Sequence, residues 1–503
     1  MGFRPNRFSF LIKIGVTALL AAAFDWLFPD EPGGVCIGLF ALTWLLGLIL
    51  ARPDVRRPRL ATAVTLALAA IFCLSLAYDP GPLAWLLFWA ALSLGALLPR
   101  TASFDDAWRW AVRLVLHGFT GIAKPVVDLV HLLAVRPRGK KLTAKSLAAL
   151  LGLPLVGTAI FTVLFASANP VIADMLDRIQ LPPIGEVMKW GVATFLVWPA
   201  LRPHRIVTRL TIPEPAIRLP GTSLPSVLIA LSAFNALFAL QNGLDIAFLW
   251  SGAPLPHGMS MTEYVHRGAY PLILTALLAG LFVLTMLRPG TATGNSRWAR
   301  RLVALWVAQN LLLVASSALR TIRYIEDYEL TAWRIAALLW MALVATGLLL
   351  ICWRIWTDKN ARWLINANAL AALAVLIPSS FIDIQAIAAQ WNVRHAREVG
   401  GRGQQIDLCY LGSMGTPALL PLIELEQKPL PAELRDRVAH VRGDALYRLI
   451  AEQSHWWSWT PHGAMRLAAA RTRLGPALSV PAGPPRACDG SDQKPPLTGT
   501  PAQ

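Results

Sequence analysis

Asp245 closes an otherwise apolar stretch, 222 to 250, and at helical spacing it shares one face with Ser232, Asn235 and Asn242, with Gln241 at the edge. A second apolar stretch, 298 to 319, carries Gln309 and Ser316 in line with Arg320 and Arg323, all within about 60° on a helical projection. Both stripes lead toward two short charged segments. One is 261 to 268, with Glu263, His266 and Arg267; the other is 323 to 329, with Arg323, Glu326 and Tyr328. Acids and bases gathered at one end of apolar helices make either a wet vestibule or a tight ion-pair network. Three uses stay open: pairing that glues helices together, a ligand or substrate site, and a proton-coupled step. For an enzyme acting on a lipid-linked group, the base would be Asp245, Glu263 or His266, but no nucleophile constellation accompanies them. Glu263 and His266 stand at the i, i+3 spacing of a carboxylate-bridged di-metal ligand pair. Such a site needs a second copy and two further Glu on facing helices. The other Glu-x-x-His, Glu452 with His455, lies beyond the last apolar stretch, so no metal and no cofactor are assigned.

The elements that must position these groups are long and apolar. The 503-residue chain is 55% hydrophobic and 15% charged, with mean hydropathy +0.51. That leaves too little polar surface to cover a water-soluble fold, for which about 25% charged is ordinary. Crossing roughly 30 Å of hydrocarbon takes 17 to 25 apolar residues in a helix, since only a helix satisfies its own backbone there. Eleven stretches qualify: 10 to 28, 33 to 51, 60 to 78, 82 to 98, 144 to 168, 186 to 201, 222 to 250, 268 to 287, 298 to 319, 332 to 356 and 363 to 382. The first holds Lys13 and Asp25 and the sixth is short and holds Lys189, charges near ends where a lysine snorkels to the interface. The expected fold class is therefore all-α, a polytopic transmembrane bundle of about eleven spans over 1 to 382, with a small helical extramembrane domain at 383 to 475.

Charge sets an orientation. With the N-terminus inside, the inner connections hold 26 Lys and Arg, against Arg178, Arg267, Arg320 and Arg323 in the outer loops. This is the positive-inside asymmetry, and it assigns the net charge of +17 to topology and to anionic headgroups at the cytoplasmic face rather than to nucleic acid. The expected partners are the lipid bilayer and an envelope protein. Residues 104 to 135 are read separately: Asp106, Arg109, Arg113, His117, Lys124, Asp128 and His131 share one side of a helix bent near Gly121 and Pro125, predicting an amphipathic element on the cytoplasmic interface with its polar face in water. Cys36, Cys73 and Cys352 lie in apolar runs as packing residues. Cys409 and Cys488 could pair in an oxidising compartment. Cys488, however, falls in the Pro-rich stretch 476 to 503, which is expected to be disordered.

Several stretches resemble a bacterial polytopic family catalogued as a domain of unknown function, number four-one-seven-three. They are the run 263 to 270, the run 318 to 334, Asn392-Val393-Arg394, the run 407 to 411, Pro417-Ala418-Leu419 and Trp457-Ser458-Trp459. The likeness covers roughly 220 to 475. Where such sequences read Tyr-Gly-Leu-Thr, this chain has Tyr328-Glu329-Leu330-Thr331, so a turn that glycine permits must be built differently here. The resemblance implies a bacterial inner-membrane protein and carries over no catalytic residues; the charge asymmetry and the span count set the N-terminus cytoplasmic and the C-terminus extracytoplasmic. The function expected is a non-enzymatic envelope sensor, assembly or ligand-binding protein; a small-molecule or ion transporter and a membrane enzyme are the alternatives.

Overall fold

The computed structural model describes residues 7–29, 33–56, 59–101, 104, 106–134, 183–209, 223–251, 296–475 and 486–492, with scattered positions between 152 and 164 and residues 278 and 282. Among these the structure is helical, apart from one isolated antiparallel bridge between Arg486 and Asp492. Among the described residues, eight helices are long and apolar enough to cross a membrane, or nine if the bent pair 408–414 and 416–426 counts as one span. Eight of the eleven expected stretches are thus found as such helices. The sixth forms an 18-residue helix that holds Glu186 and Lys189 and is not among the eight. The eighth, and most of the fifth, lie outside the described residues.

The chain divides into two units, residues 1–105 with 109–211, and 106–108 with 212–503. In the first, α1 (Arg7–Leu27), α2 (Gly34–Ala51), a single turn α3 (Pro53–Arg56), α4 (Leu60–Tyr78), α5 (Pro82–Leu97), α6 (Ala107–Ala134), α7 (Ile184–Leu201) and α8 (Arg205–Arg209) follow in order. With no hydrophobic drive between helices in lipid, close packing does the work. Gly38 of α2 lies so near α4 that an added Cβ would meet the Ala77 backbone nitrogen at 2.4 Å. The buried core there is Phe40, Trp44, Leu48, Phe72, Leu76, Phe88 and Leu92.

α6 corrects the amphipathic reading. Its polar stripe is the packed face: Arg113, His117 and Asp128 are all buried, while Val115, Phe119, Ile122, Val126 and Leu129 stand exposed. His117 stacks on Trp89 of α5, and Asp128 accepts from Trp198 Nε1 of α7 at 2.9 Å and lies 3.6 Å from Arg202. In water this helix would be inside out. In lipid the arrangement is the favourable one, since the polar face packs against neighbouring helices and the apolar face meets acyl chains.

The second unit holds α9 (Leu224–Asp245), α10 (Arg297–Tyr328), α11 (Ala332–Trp356) and α12 (Ala361–Ser379). Val227, Leu231, Ala299, Val303, Trp306, Leu348, Ile351 and Leu364 form their shared core. Exposed tryptophans mark both ends of α11, Trp333 at one and Trp353 and Trp356 at the other. The 23 residue steps from Trp333 to Trp356 span about 35 Å at 1.5 Å per residue, close to the thickness of a bilayer core with its aromatic belts. Arg300 of α10 meets Asp358 at 2.7 Å, at the Trp356 end.

Beyond α12 come α13 (Ile384–His395), α14 (Leu408–Met414), α15 (Leu419–Glu426), α16 (Ala432–Ser454) and α17 (Pro461–Leu474). Ala388, Ala389, Val393, Leu411, Leu422 and Val438 make one core with Ile325 and Leu330 from the end of α10, and Leu419, Ile423, Leu446, Leu449, Leu467 and Ala470 make a second. Cys409 and Cys488 are joined in a disulfide, which corrects the expectation that the Pro-rich stretch keeps Cys488 apart. Residues 486–492 are held on α16 by Arg437–Asp489 and Arg486–Asp436 ion pairs, and Gly490 takes φ +76° where a side chain would strike the Arg437 carbonyl.

Candidate functional site

α9 and α10 run side by side in the same direction, Asn235 meeting Leu302, Asn242 Gln309 and Asp245 Arg320 in turn. Their polar stripes face each other. Asn235 Nδ2 donates to the carbonyls of Leu231 and Leu302 at 2.8 and 3.0 Å, and its Oδ1 accepts from Gln309 Nε2 at 3.2 Å. Asn242 Nδ2 donates to the Gln309 carbonyl at 3.2 Å. One turn further, Asp245 is fully buried in an ion pair with Arg320 and also accepts from Gln241 Nε2 at 3.2 Å. Ser316 accepts from Trp250 Nε1 at 3.0 Å. Of the sequence-predicted residues, Asp245 and Arg320 meet directly, while Asn242 joins the same pair of helices through the Gln309 backbone. The ladder closes on itself at its core: Asn235, Asn242, Asp245, Ser316 and Arg320 are buried, Gln241 and Gln309 half-buried, with the Asn242 Oδ1 and Gln309 Oε1 acceptors lacking a hydrogen-bond partner among the described residues.

α9 continues past Asp245 as one π turn, Ile246–Trp250. That turn carries Trp250 to Ser316. Buried polar groups in hydrocarbon cost several kcal/mol unless paired, so this ladder fixes the register of α9 on α10.

The remaining predicted residues divide. Arg323 is half-buried one turn past Arg320, and Glu326 and Tyr328 are exposed. Tyr328 stacks on Tyr324 at 4.6 Å, whose ring in turn carries the Arg334 guanidinium at 4.4 Å. Tyr328 also offers its carbonyl to Arg334 at 2.5 Å, so it belongs to the α10–α11 turn rather than to the ladder. Glu263, His266 and Arg267 lie outside the described residues.

Three positions carry the junction between the spans and the helices after them, and sequence reading missed their roles. Glu329 ends α10 at φ 67°, ψ 167°, and its Oε1 accepts from the Asp407 amide at 3.0 Å. Burial, opposed by that hydrogen bond, pushes the Glu329 carboxyl above its ordinary value. Asn392 of α13 makes a two-way bridge to the Leu330 backbone, accepting from its amide at 2.6 Å and donating to its carbonyl at 3.0 Å. Arg466 of α17 is ion-paired with Asp383, which also caps α13 through the Ala386 amide at 2.9 Å. The glycine-to-glutamate departure at 329 was the one available signal. Asn392 and Arg466 look like ordinary polar residues of amphipathic helices.

The first unit has its own buried cation. Arg52, fully buried, donates to the Ala96 and Ala200 carbonyls at 2.6 and 3.1 Å and pairs with Asp54 at 2.6 Å. One guanidinium thus serves the carbonyl ends of α5 and α7 just past the end of α2, where the helix dipoles favour positive charge. Burial alone would raise the Asp54 carboxyl, but Arg52 and Arg100 beside it hold it down to about 2. The charge was legible as a topogenic arginine; its buried role was not.

The fold and these networks define an all-α polytopic membrane protein. The chain matches the family described as Domain of unknown function (DUF4153) over residues 41–425 and belongs to it. The resemblance to number four-one-seven-three is corrected accordingly; the match begins in α2 and ends within α15, so it takes in both units. No curated protein and no solved structure matches the chain.

Proposed function

We propose that the chain is a non-enzymatic inner-membrane scaffold of the bacterial envelope, in which the spans hold residues 383–475 at the extracytoplasmic face to bind an envelope protein or ligand. One observation carries this reading: the buried carboxylate of α9 and the buried guanidinium of α10 are spent on each other, Asp245 with Arg320. The Cys409–Cys488 disulfide supports the outward placement, since such bonds persist in oxidising compartments. The basic inner connections support contact with anionic lipid at the cytoplasmic face.

The test has two parts. An alkaline phosphatase fused after residue 475 is expected to be active and a fluorescent protein at the same point dark; the reverse pattern overturns the orientation. In cells, photo-crosslinkers on exposed positions of α16, such as Tyr447, are expected to give one discrete protein adduct, and the absence of any adduct along the exposed face overturns the binding role.

A transporter is the second reading, favoured by the π turn directly after Asp245, because π turns within helices often mark functional sites. Counterflow of a solute in proteoliposomes of the purified chain would establish it against the scaffold.

A further inference from the structure

The loop between α16 and α17, His455-Trp456-Trp457-Ser458-Trp459-Thr460, presents tryptophan to the outside in a rigid frame. Trp457 stacks on His455 at 4.5 Å and meets Trp456 edge-on at 6.0 Å. Ser458 Oγ donates to the Glu452 carbonyl at 2.6 Å, and the Trp459 amide donates to the His455 carbonyl at 3.0 Å. Gln453 Oε1 accepts from the Thr460 amide at 3.3 Å, and Thr460 Oγ1 caps α17 through the Gly463 amide at 2.9 Å. Trp456 and Trp459 nonetheless remain 46% and 38% exposed, and Met465 in the first turns of α17 is 53% exposed. Indole surface left bare on a fixed loop is costly in water and is favoured at the level of lipid headgroups, where a ring has both apolar and polar neighbours.

The position of the loop supplies the partner. Asp383 follows the last span by four residues, and a His462 ring nitrogen lies within 4.8 Å of its carboxylate, with Arg466 ion-paired to the same group. Trp459 is three residues from His462, at most about 11 Å along the chain, so the loop starts beside the group that meets Asp383. Phe381 and Ile382, which join the span to Asp383, are themselves exposed, and Trp333 marks the same end of the neighbouring α11. The loop is therefore continuous with the aromatic belt of the bundle.

We propose that Trp456, Trp457 and Trp459 form a membrane-interface anchor, seated among the headgroups of the leaflet that surrounds Phe381 and Ile382, so that α17 lies against the bilayer instead of standing off it. The occupant is phospholipid, and the anchor holds whichever side of the membrane carries the domain.

The purified full-length chain is reconstituted in vesicles of phosphatidylethanolamine and phosphatidylglycerol with benzoylphenylalanine replacing Trp456, Trp459, Trp333 or Tyr447 in turn. Light-dependent phospholipid adducts are expected at 456 and 459, as at the belt position 333, and not at 447 on the middle of α16. Positions 456 and 459 behaving like 447, or crosslinking to a second copy of the chain, overturns the proposal. For any variant in which the Cys409–Cys488 disulfide fails to form, the unmodified chain answers the same question by hydroxyl-radical footprinting. Trp456 and Trp459 are then expected to be oxidised severalfold more slowly in vesicles than after delipidation in a short-chain detergent, with Tyr447 unchanged; equal rates overturn it.

Discussion

Glu329 sits in a backbone region that is nearly closed to side chains, at a cost of order 1–3 kcal/mol, and it does so at the hinge where α10 turns into α11. Its carboxylate offsets that cost by capping Asp407, the N-cap residue of α14. Glycine at 329 would relax the backbone and lose the cap. Glu329→Gly is therefore expected to change thermal stability by less than about 1 kcal/mol while loosening α14, read as faster amide exchange at Asp407. The carboxyl is raised in the folded chain, so its contribution is fully present below the unfolded carboxylate value and is lost as pH rises through the raised one. Glu329→Gln should remove that pH dependence, and a variant that titrates like the parent would rule the residue out as its source. Asp54 has the opposite sign: its depressed carboxyl contributes above the ordinary carboxylate value and the contribution disappears as pH falls toward about 2.

At the level of elements, the helices themselves were legible because an apolar run of bilayer length has few other stable forms. The direction that α6 faces was not. A period of 3.6 residues separates polar from apolar faces but does not say which one meets the solvent, and a lipid solvent reverses the soluble rule. His117 illustrates the consequence: it is 1% exposed and packs as an aromatic against Trp89 instead of facing water. Introducing charge on the outward side tests the orientation. Ile122→Lys, at an exposed position, is expected to be destabilising in vesicles by about 1–3 kcal/mol, as charges facing lipid are, and nearly neutral if that face meets water. The polar stripes of α9 and α10 were also legible as stripes, but spacing alone cannot tell a ladder that closes from a vestibule that stays open. The distinction depends on which residues of α10 stand opposite Asp245, and α9 and α10 are brought together by the apolar core of Val227, Leu231, Val303 and Trp306.

For the molecule as a whole, composition identified the solvent and left the domain after the last span poorly defined. Its disulfide was missed because a run of prolines reads as disorder, whereas seven residues of it, 486–492, are clamped to α16 by two arginine ion pairs and to α14 by sulfur. Replacing Cys409 and Cys488 together by serine is expected to cost this domain about 2–4 kcal/mol and to release the segment to proteolysis near Arg486, with the spans unaffected. The central claim concerns the buried pair that joins α9 to α10. Asp245→Asn and Arg320→Gln, each alone, strand a buried charge and should cost about 3–5 kcal/mol of thermal stability in detergent, while the double substitution, which strands none, should recover most of it. Single variants that keep the parent's melting temperature but fail to complement loss of the gene would show that these two groups serve a ligand or a proton instead.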